Sequence, residues 1–168
     1  MSKPVLYIFS GLPGTGKSTL AQLLAAELPA AYLRIDTIEK ALQGLYRTEV
    51  EGEGYQVAHK LASDNLSLGI PVVADSCNPI TLTRREWEAV AEAEKADFIN
   101  IEIKCSNKEE HRRRVENRRG GPSALTFPSW EQVIAREYHP WQEERVIVNT
   151  EGQTVEESFA QLLKLIAV

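Results

Sequence analysis

The run Gly11-Leu12-Pro13-Gly14-Thr15-Gly16-Lys17-Ser18 matches G-x-x-x-x-G-K-[ST] at every fixed position. It follows an apolar stretch and precedes an amphipathic one, the context this pattern requires. The chemistry such a spacing serves is the holding of a polyphosphate. Glycines let the chain turn tightly and bring amide groups against phosphate oxygens, where larger side chains would intrude. A helix that follows adds its unpaired N-terminal amides and the positive end of its dipole. Within Gly11 to Thr19, Lys17 is placed to reach the β- and γ-phosphates of a nucleotide, and the Ser18 hydroxyl to ligate Mg²⁺. ATP and Mg²⁺ are therefore the expected ligands. The nearest approach to a guanine-reading Asn-Lys-x-Asp is Asn107-Lys108-Glu109-Glu110, which ends in Glu, and the H-R-D and D-F-G signatures of protein kinases are absent.

Two aspartates close short apolar runs. Asp36 follows Tyr32-Leu33-Arg34-Ile35, and Asp75 follows Val72-Val73-Ala74 in the manner of a Walker B strand. In open α/β sheets ligands gather beyond the carboxyl ends of the strands. A carboxylate there can hold Mg²⁺ or its water, or accept a proton from an attacking hydroxyl. Each has a plainer reading. Asp36 with Glu39 fits a helix capping box, and Asp75, followed by Ser76, Asn78 and Pro79, fits a turn.

The elements that would position these groups alternate along the chain. Strands are expected at Val5–Phe9, Ala31–Ile35, Pro71–Ala74, Phe98–Ile103 and Arg145–Val148. Between them run helical spacings such as Leu20, Leu23, Leu24 and Leu28, with Val155, Phe159, Leu162, Leu163 and Ile166 forming the last. Five pairs, Asp36–Glu39, Thr83–Glu86, Ser106–Glu109, Ser129–Gln132 and Thr154–Glu157, have the spacing of helix-starting boxes. The pattern predicts one α/β domain over residues 1–168, a parallel sheet covered by helices on both faces.

One segment departs from it. Residues 104–119 carry seven Lys or Arg against three Glu, with Val115 the lone aliphatic anchor after Cys105. Joined to Gly120-Gly121-Pro122-Ser123, this reads either as a basic mobile flap or as a solvated surface helix.

Composition bounds the rest. The 168 residues are 43% hydrophobic and 26% charged, with a net charge of −5. That balance is globular and speaks against broad binding of nucleic acid or anionic membrane, leaving a local basic groove possible. Cys77 and Cys105 form no CxxC pair, and His59, His111 and His139 have no ligand spacing. No apolar run approaches the roughly 18 to 20 residues of a membrane span, and Met1 to Ser10 is short for a signal peptide. A reduced, cytoplasmic protein, monomeric or weakly dimeric, is the expectation. Trp87, Trp130 and Trp141 are expected in packing, the pair Arg84-Arg85 on a solvent-facing helix or at the acceptor pocket, and Asn149-Thr150 near the base or in a turn.

The segment Phe9 to Leu20, then Asp36, then Val72-Val73-Ala74-Asp75-Ser76-Cys77-Asn78, resembles the small AAA-type P-loop kinases. That group includes phage polynucleotide kinase, chloramphenicol phosphotransferase, gluconate kinase and the zeta toxins. The resemblance implies a three-layer P-loop NTPase fold, a five-stranded parallel sheet of order 2-3-1-4-5, and a basic helical lid at about residues 106–128. It implies transfer of the γ-phosphoryl of ATP to a hydroxyl of a small molecule. Asp36 would orient or deprotonate that hydroxyl, while Asp75 would lie near metal and acceptor. Asn78, matching an Asp-x-x-Asn element, would bind substrate together with Asp36 and Asp75, and Arg114 and Arg118 would close over the phosphates. Polynucleotide-type members carry Arg three residues after the second-strand Asp, where this chain has Glu39. That departure argues against a nucleic-acid 5′-hydroxyl acceptor, the first alternative. A nucleotide-binding regulatory module without turnover is the second.

Overall fold

The protein is described by a computed structural model over residues 3–47, 49, 52–119 and 127–167. Its strands are β1 (Val5–Ser10), β2 (Ala31–Arg34), β3 (Val72–Asp75), β4 (Asp97–Lys104) and β5 (Val146–Asn149). The helices are α1 (Lys17–Glu27), α2 (Ile35–Tyr46), α3 (Glu53–Ser67), α4 (Thr81–Ala93), α5 (Lys108–Arg119), α6 (Trp130–Ala135) and α7 (Val155–Leu165). All strand pairs are parallel and the sheet order is β2-β3-β1-β4-β5, as the resemblance implied.

The central strands read as apolar runs because both of their faces are covered. Alternation along β1 sends Tyr7 and Phe9 to one face and Leu6 and Ile8 to the other. On the first face they meet Leu20 and Leu24 of α1 and Leu162 of α7. On the second they meet Ala58, Ala62 and Leu66 of α3 and Trp87 and Ala91 of α4. The chain leaves β1 towards one edge of the sheet and later leaves β3 towards the other. Right-handed crossovers then require α1 and α4 to lie on opposite faces, which opens a crevice beyond the carboxyl ends of the central strands.

Helix starts depart from the expected boxes in three of five cases. Ser129–Gln132 and Thr154–Glu157 form reciprocal boxes. Asp36 does not cap α2: the chain passes from β2 into the helix with no connecting loop, Arg34 stands at the cap position, and Asp36 lies in the first turn. At α4 the helix begins three residues earlier, with Ile80 at the cap position, so the Thr83 hydroxyl donates to the Ile80 carbonyl instead. At α5 the acceptor is the Asn107 side chain, which takes the Glu110 amide at 3.0 Å. No helix among the described residues is long and apolar enough to cross a membrane.

Candidate active site

A cavity of about 750 Å³ lies over the carboxyl end of the sheet, within the range of small-ligand sites. The phosphate loop forms its floor. Gly11 has φ +146°, and a Cβ there would fall on the Ile103 carbonyl oxygen. Gly14 has φ +83°, and a Cβ there would stand 2.5 Å from the Val115 methyl. Backbone conformation and close approach thus both demand glycine at these two positions.

The loop is buttressed from behind. The Gly11 amide donates to the Cys77 carbonyl at 3.1 Å, and the Thr15 hydroxyl to the Leu12 carbonyl at 2.9 Å. Asn78 is fully buried with φ 45°, and its amide donates to the Phe9 carbonyl at 3.0 Å and the Ser10 hydroxyl at 3.1 Å. The sequence suggested that Asn78 binds substrate. The structure corrects this, because its side chain supports the end of β1 and does not line the cavity.

Asp75 closes β3 with its carboxylate wholly buried. Lys17 pairs with Oδ1, the Tyr32 hydroxyl donates to Oδ2 at 2.7 Å, and Arg34 Nε stands 3.8 Å away. Burial alone would raise this carboxyl. The Lys17 charge, with hydrogen bonds from Lys17, Tyr32 and Ser18, more than offsets burial and holds it below the ordinary range. Burial and the adjoining carboxylate push the Tyr32 phenol well above its usual value. The Ser18 hydroxyl and Asp75 carboxylate therefore stand together beside the loop. Among the described residues no group of three or more His, Cys, Asp or Glu forms a metal cage. A hydroxyl and one carboxylate beside a phosphate cradle is the donor set that suits Mg²⁺, which keeps several waters and takes few protein ligands.

Asp36 is placed differently. Its carboxylate is 66% exposed, lines the cavity, and lies 3.7 Å from Arg34. Around it the wall carries Glu39 and Lys40 of α2, Arg118 of α5, Phe127, and Arg136. The Arg118 guanidinium lies 4.2 Å from the centre of the Phe127 ring, with the Lys40 ammonium 5.6 Å from it. Burial and the neighbouring Arg34 charge lower the Arg118 pKa. Burial and the Asp36 charge raise that of Glu39, whose side chain is pressed against Gly54.

The basic helix α5 is tied down more firmly than its composition suggested. Val115 and His111 are buried, and His111 Nε2 lies 2.8 Å from the Pro13 carbonyl. Arg114 donates to the Thr150 hydroxyl at 2.8 Å, the Thr150 carbonyl at 2.9 Å and the Thr15 carbonyl at 3.4 Å, and pairs with Glu110. The anchors are polar, so an apolar stripe does not reveal them. Arg114 and Arg118 share a helix face but not a situation: Arg114 straps the phosphate loop to the end of β5, while Arg118 overhangs the Asp36 end. The Gly120 to Ser123 turn lies outside the described residues.

Arg84 is a second correction. It is fully buried and holds four backbone carbonyls: Asn78 at 3.0 Å, His139 at 2.9 Å, and Pro79 and Pro140 at 3.3 Å. Trp141 covers its guanidinium at 3.9 Å. Arg85 is exposed. Trp87 is core, and Trp130 packs on His111 at 5.1 Å. Tyr32, Arg84 and His111 escaped sequence reading because each acts on a partner 43 to 98 residues away, or on backbone that has no code.

A "Probable adenylyl-sulfate kinase" of Aeropyrum pernix is 25% identical over 182 residues, spanning 99% of this chain and 94% of that protein. Among solved structures, an APS kinase of Mycobacterium tuberculosis in complex with AMPPNP and APS matches with a TM-score of 0.75 at 17% identity, over the whole of both chains. A gluconokinase from Sinorhizobium meliloti 1021 matches with a TM-score of 0.62 at 16% identity, covering 99% of this chain and 98% of that one. At such identities the structures speak for the fold alone. The model of the AAA domain family matches residues 6–140, from β1 through the Arg84 clamp. That span exceeds half of the sequence, so the chain belongs to the AAA domain family, and it is a P-loop kinase in architecture.

Proposed function

We propose that this protein transfers the γ-phosphoryl group of ATP, with Mg²⁺, to a hydroxyl of a small anionic molecule. The observation that carries the reading is a single cavity joining the phosphate loop to an exposed carboxylate, Asp36, at its far end. The amides from Gly14 to Thr19 suit the β- and γ-phosphates, with Lys17 released from Asp75 to meet them. Gln153, Thr154, Val155 and Ser158 line the opposite end and would border the base. Ser18 and Asp75 would hold Mg²⁺, which neutralises charge on the phosphoryl oxygens.

Asp36 would accept the proton of the acceptor hydroxyl as its oxygen bonds to the γ-phosphorus and the bond to the departing ADP breaks. Its exposure fits that duty, whereas buried Asp75 can meet no acceptor proton. Arg118 would lie over the transferring group and help to keep water away. The acceptor end carries Arg34, Lys40, Arg118 and Arg136 against Asp36 and Glu39, an excess of positive charge. That excess favours an acceptor bearing phosphate, sulfate or carboxylate. Adenylyl sulfate, for which a relative is named, has both an anionic group and free hydroxyls and is the first acceptor to try.

The test is ADP release from Mg²⁺-ATP with adenylyl sulfate, sugar acids, nucleosides, aminoglycosides, chloramphenicol and a short 5′-hydroxyl oligonucleotide, with Lys17→Ala as blank. Stimulation by an anionic small molecule is expected. Asp36→Asn should keep ATP binding and lose roughly 10²- to 10⁴-fold in kcat. Stimulation by the oligonucleotide alone, or a wild-type rate for Asp36→Asn, would refute the assignment.

A further inference from the structure

Asp75 has four cationic or polar neighbours, Lys17, Arg34, Tyr32 and Ser18, and they face different fates when a nucleotide enters. Lys17 pairs with Oδ1, but the same ammonium is the group a P-loop directs at the β- and γ-phosphates, so nucleotide binding draws it away. Arg34 lies 3.8 Å from Oδ2 and also 3.7 Å from Asp36, shared between two carboxylates and beyond hydrogen-bond distance of either. The Ser18 hydroxyl, also bonded to this carboxylate, is the group assigned to the metal, which leaves Tyr32 as the neutral donor with no competing role, 2.7 Å from Oδ2 in a half-buried position outside the cavity lining.

The geometry follows from the sheet. Tyr32 pairs with Val73 and Arg34 with Asp75 in the β2–β3 register, and alternation puts all four side chains on the face covered by α1. That face is where Lys17 and Ser18 begin their helix. A phenol two residues before the end of β2 therefore reaches the last carboxylate of β3, and it does so from a strand rather than a loop.

We propose that Tyr32 is a positioning residue for Mg²⁺. It holds the Asp75 carboxylate aimed at the Ser18 side once Lys17 has left, using a neutral donor that neither repels a cation nor competes for the phosphates. Groups that orient a metal ligand commonly change metal affinity by about 10- to 100-fold when removed. The inference rests on the assignment of Ser18 and Asp75 to the metal, but on no acceptor and no turnover.

The experiment is calorimetric binding of ADP to the full chain, without Mg²⁺ and across a Mg²⁺ series, for wild type, Tyr32→Phe, Asp75→Asn and the double variant. In wild type Mg²⁺ tightens ADP binding. Tyr32→Phe is expected to bind metal-free ADP as wild type does, and to need roughly 10-fold more Mg²⁺ for half of the tightening. In the Asp75→Asn background the tyrosine change should add nothing. Tyr32→Met, which also lacks the hydroxyl, gives a second reading should loss of the phenol unsettle the phenylalanine variant. An unchanged Mg²⁺ midpoint, an equal loss with and without Mg²⁺, or a shift that persists with Asp75→Asn would each overturn the proposal. Failure of the kinase reading appears separately, as normal Mg²⁺-ADP binding with no acceptor phosphorylated.

Discussion

Replacing Arg84 with Met keeps most of the side-chain length and removes the charge from a cation that is fully buried. The guanidinium has no exposed surface and ties the Asn78–Pro79 backbone to His139 and Pro140. Two of its bonds, at 3.0 and 2.9 Å, are of good length, and a hydrogen bond from a charged group contributes about 1.5–3 kcal/mol. The stack on Trp141 at 3.9 Å, being desolvated, adds about 2 kcal/mol. Against these stands the relief of no longer burying a cation. Removing one partner of a buried charge network nets a loss of about 3–5 kcal/mol. A loss of about 4 kcal/mol is therefore expected, which for a chain of this size lowers Tm by about 8–16 °C. Differential scanning calorimetry with urea titration measures it. Arg84→Lys should lose nearly as much, since a point charge on a flexible stem cannot reproduce a planar fork among four carbonyls. The clamp also fixes Asn78 beneath β1, so ATP affinity should fall in both variants. A Met variant within about 1 kcal/mol of wild type would refute the reasoning, because that is the scale of ordinary single substitutions.

Two further outcomes follow from the same geometry. Glu39 has its carboxyl pKa raised by burial and by Asp36, so the folded state holds that proton more tightly than the unfolded state. Its ionisation therefore costs stability that is absent below the unfolded pKa and develops as pH rises through the folded one. Glu39→Gln should raise Tm at pH 7 and leave it nearly unchanged near pH 3.5; an equal gain at both values would contradict the linkage. Gly14→Ala places a methyl group against Val115 in a left-handed backbone conformation. The backbone strain of about 1–2 kcal/mol, with displacement of α5, should weaken ATP binding roughly 10-fold by calorimetry, and unchanged affinity would show that the loop can shift freely.

Much of the site could be read in one dimension because its parts are local. The span from Gly11 to Thr19 is contiguous, and its chemistry depends on backbone amides that a fixed spacing of glycines exposes. Asp36 and Asp75 were visible because a strand end is a predictable place for a functional carboxylate. Their contrast in burial was not, since the sequence does not say that one side chain is exposed and the other sealed. The cap assignment at Asp36 failed because β2 runs into α2 without a loop, a junction that leaves no mark in residue type. The thin apolar stripe of α5 conceals how firmly that helix is held, because its anchors, His111 and Arg114, grip carbonyls of the phosphate loop and of Thr150.

The sequence by itself determined the alternation of strands and helices, the phosphate loop and the two carboxylates, because hydrophobic periodicity and backbone demands act over a few residues. The sheet order came through resemblance and was borne out by the strand pairing. Only the tertiary structure decided that Asn78 and Arg84 support the loop from behind, that Tyr32 meets Asp75, and that four cations gather around Asp36. These are encounters across tens of residues, where packing decides which polar groups lose water and must find partners in one another.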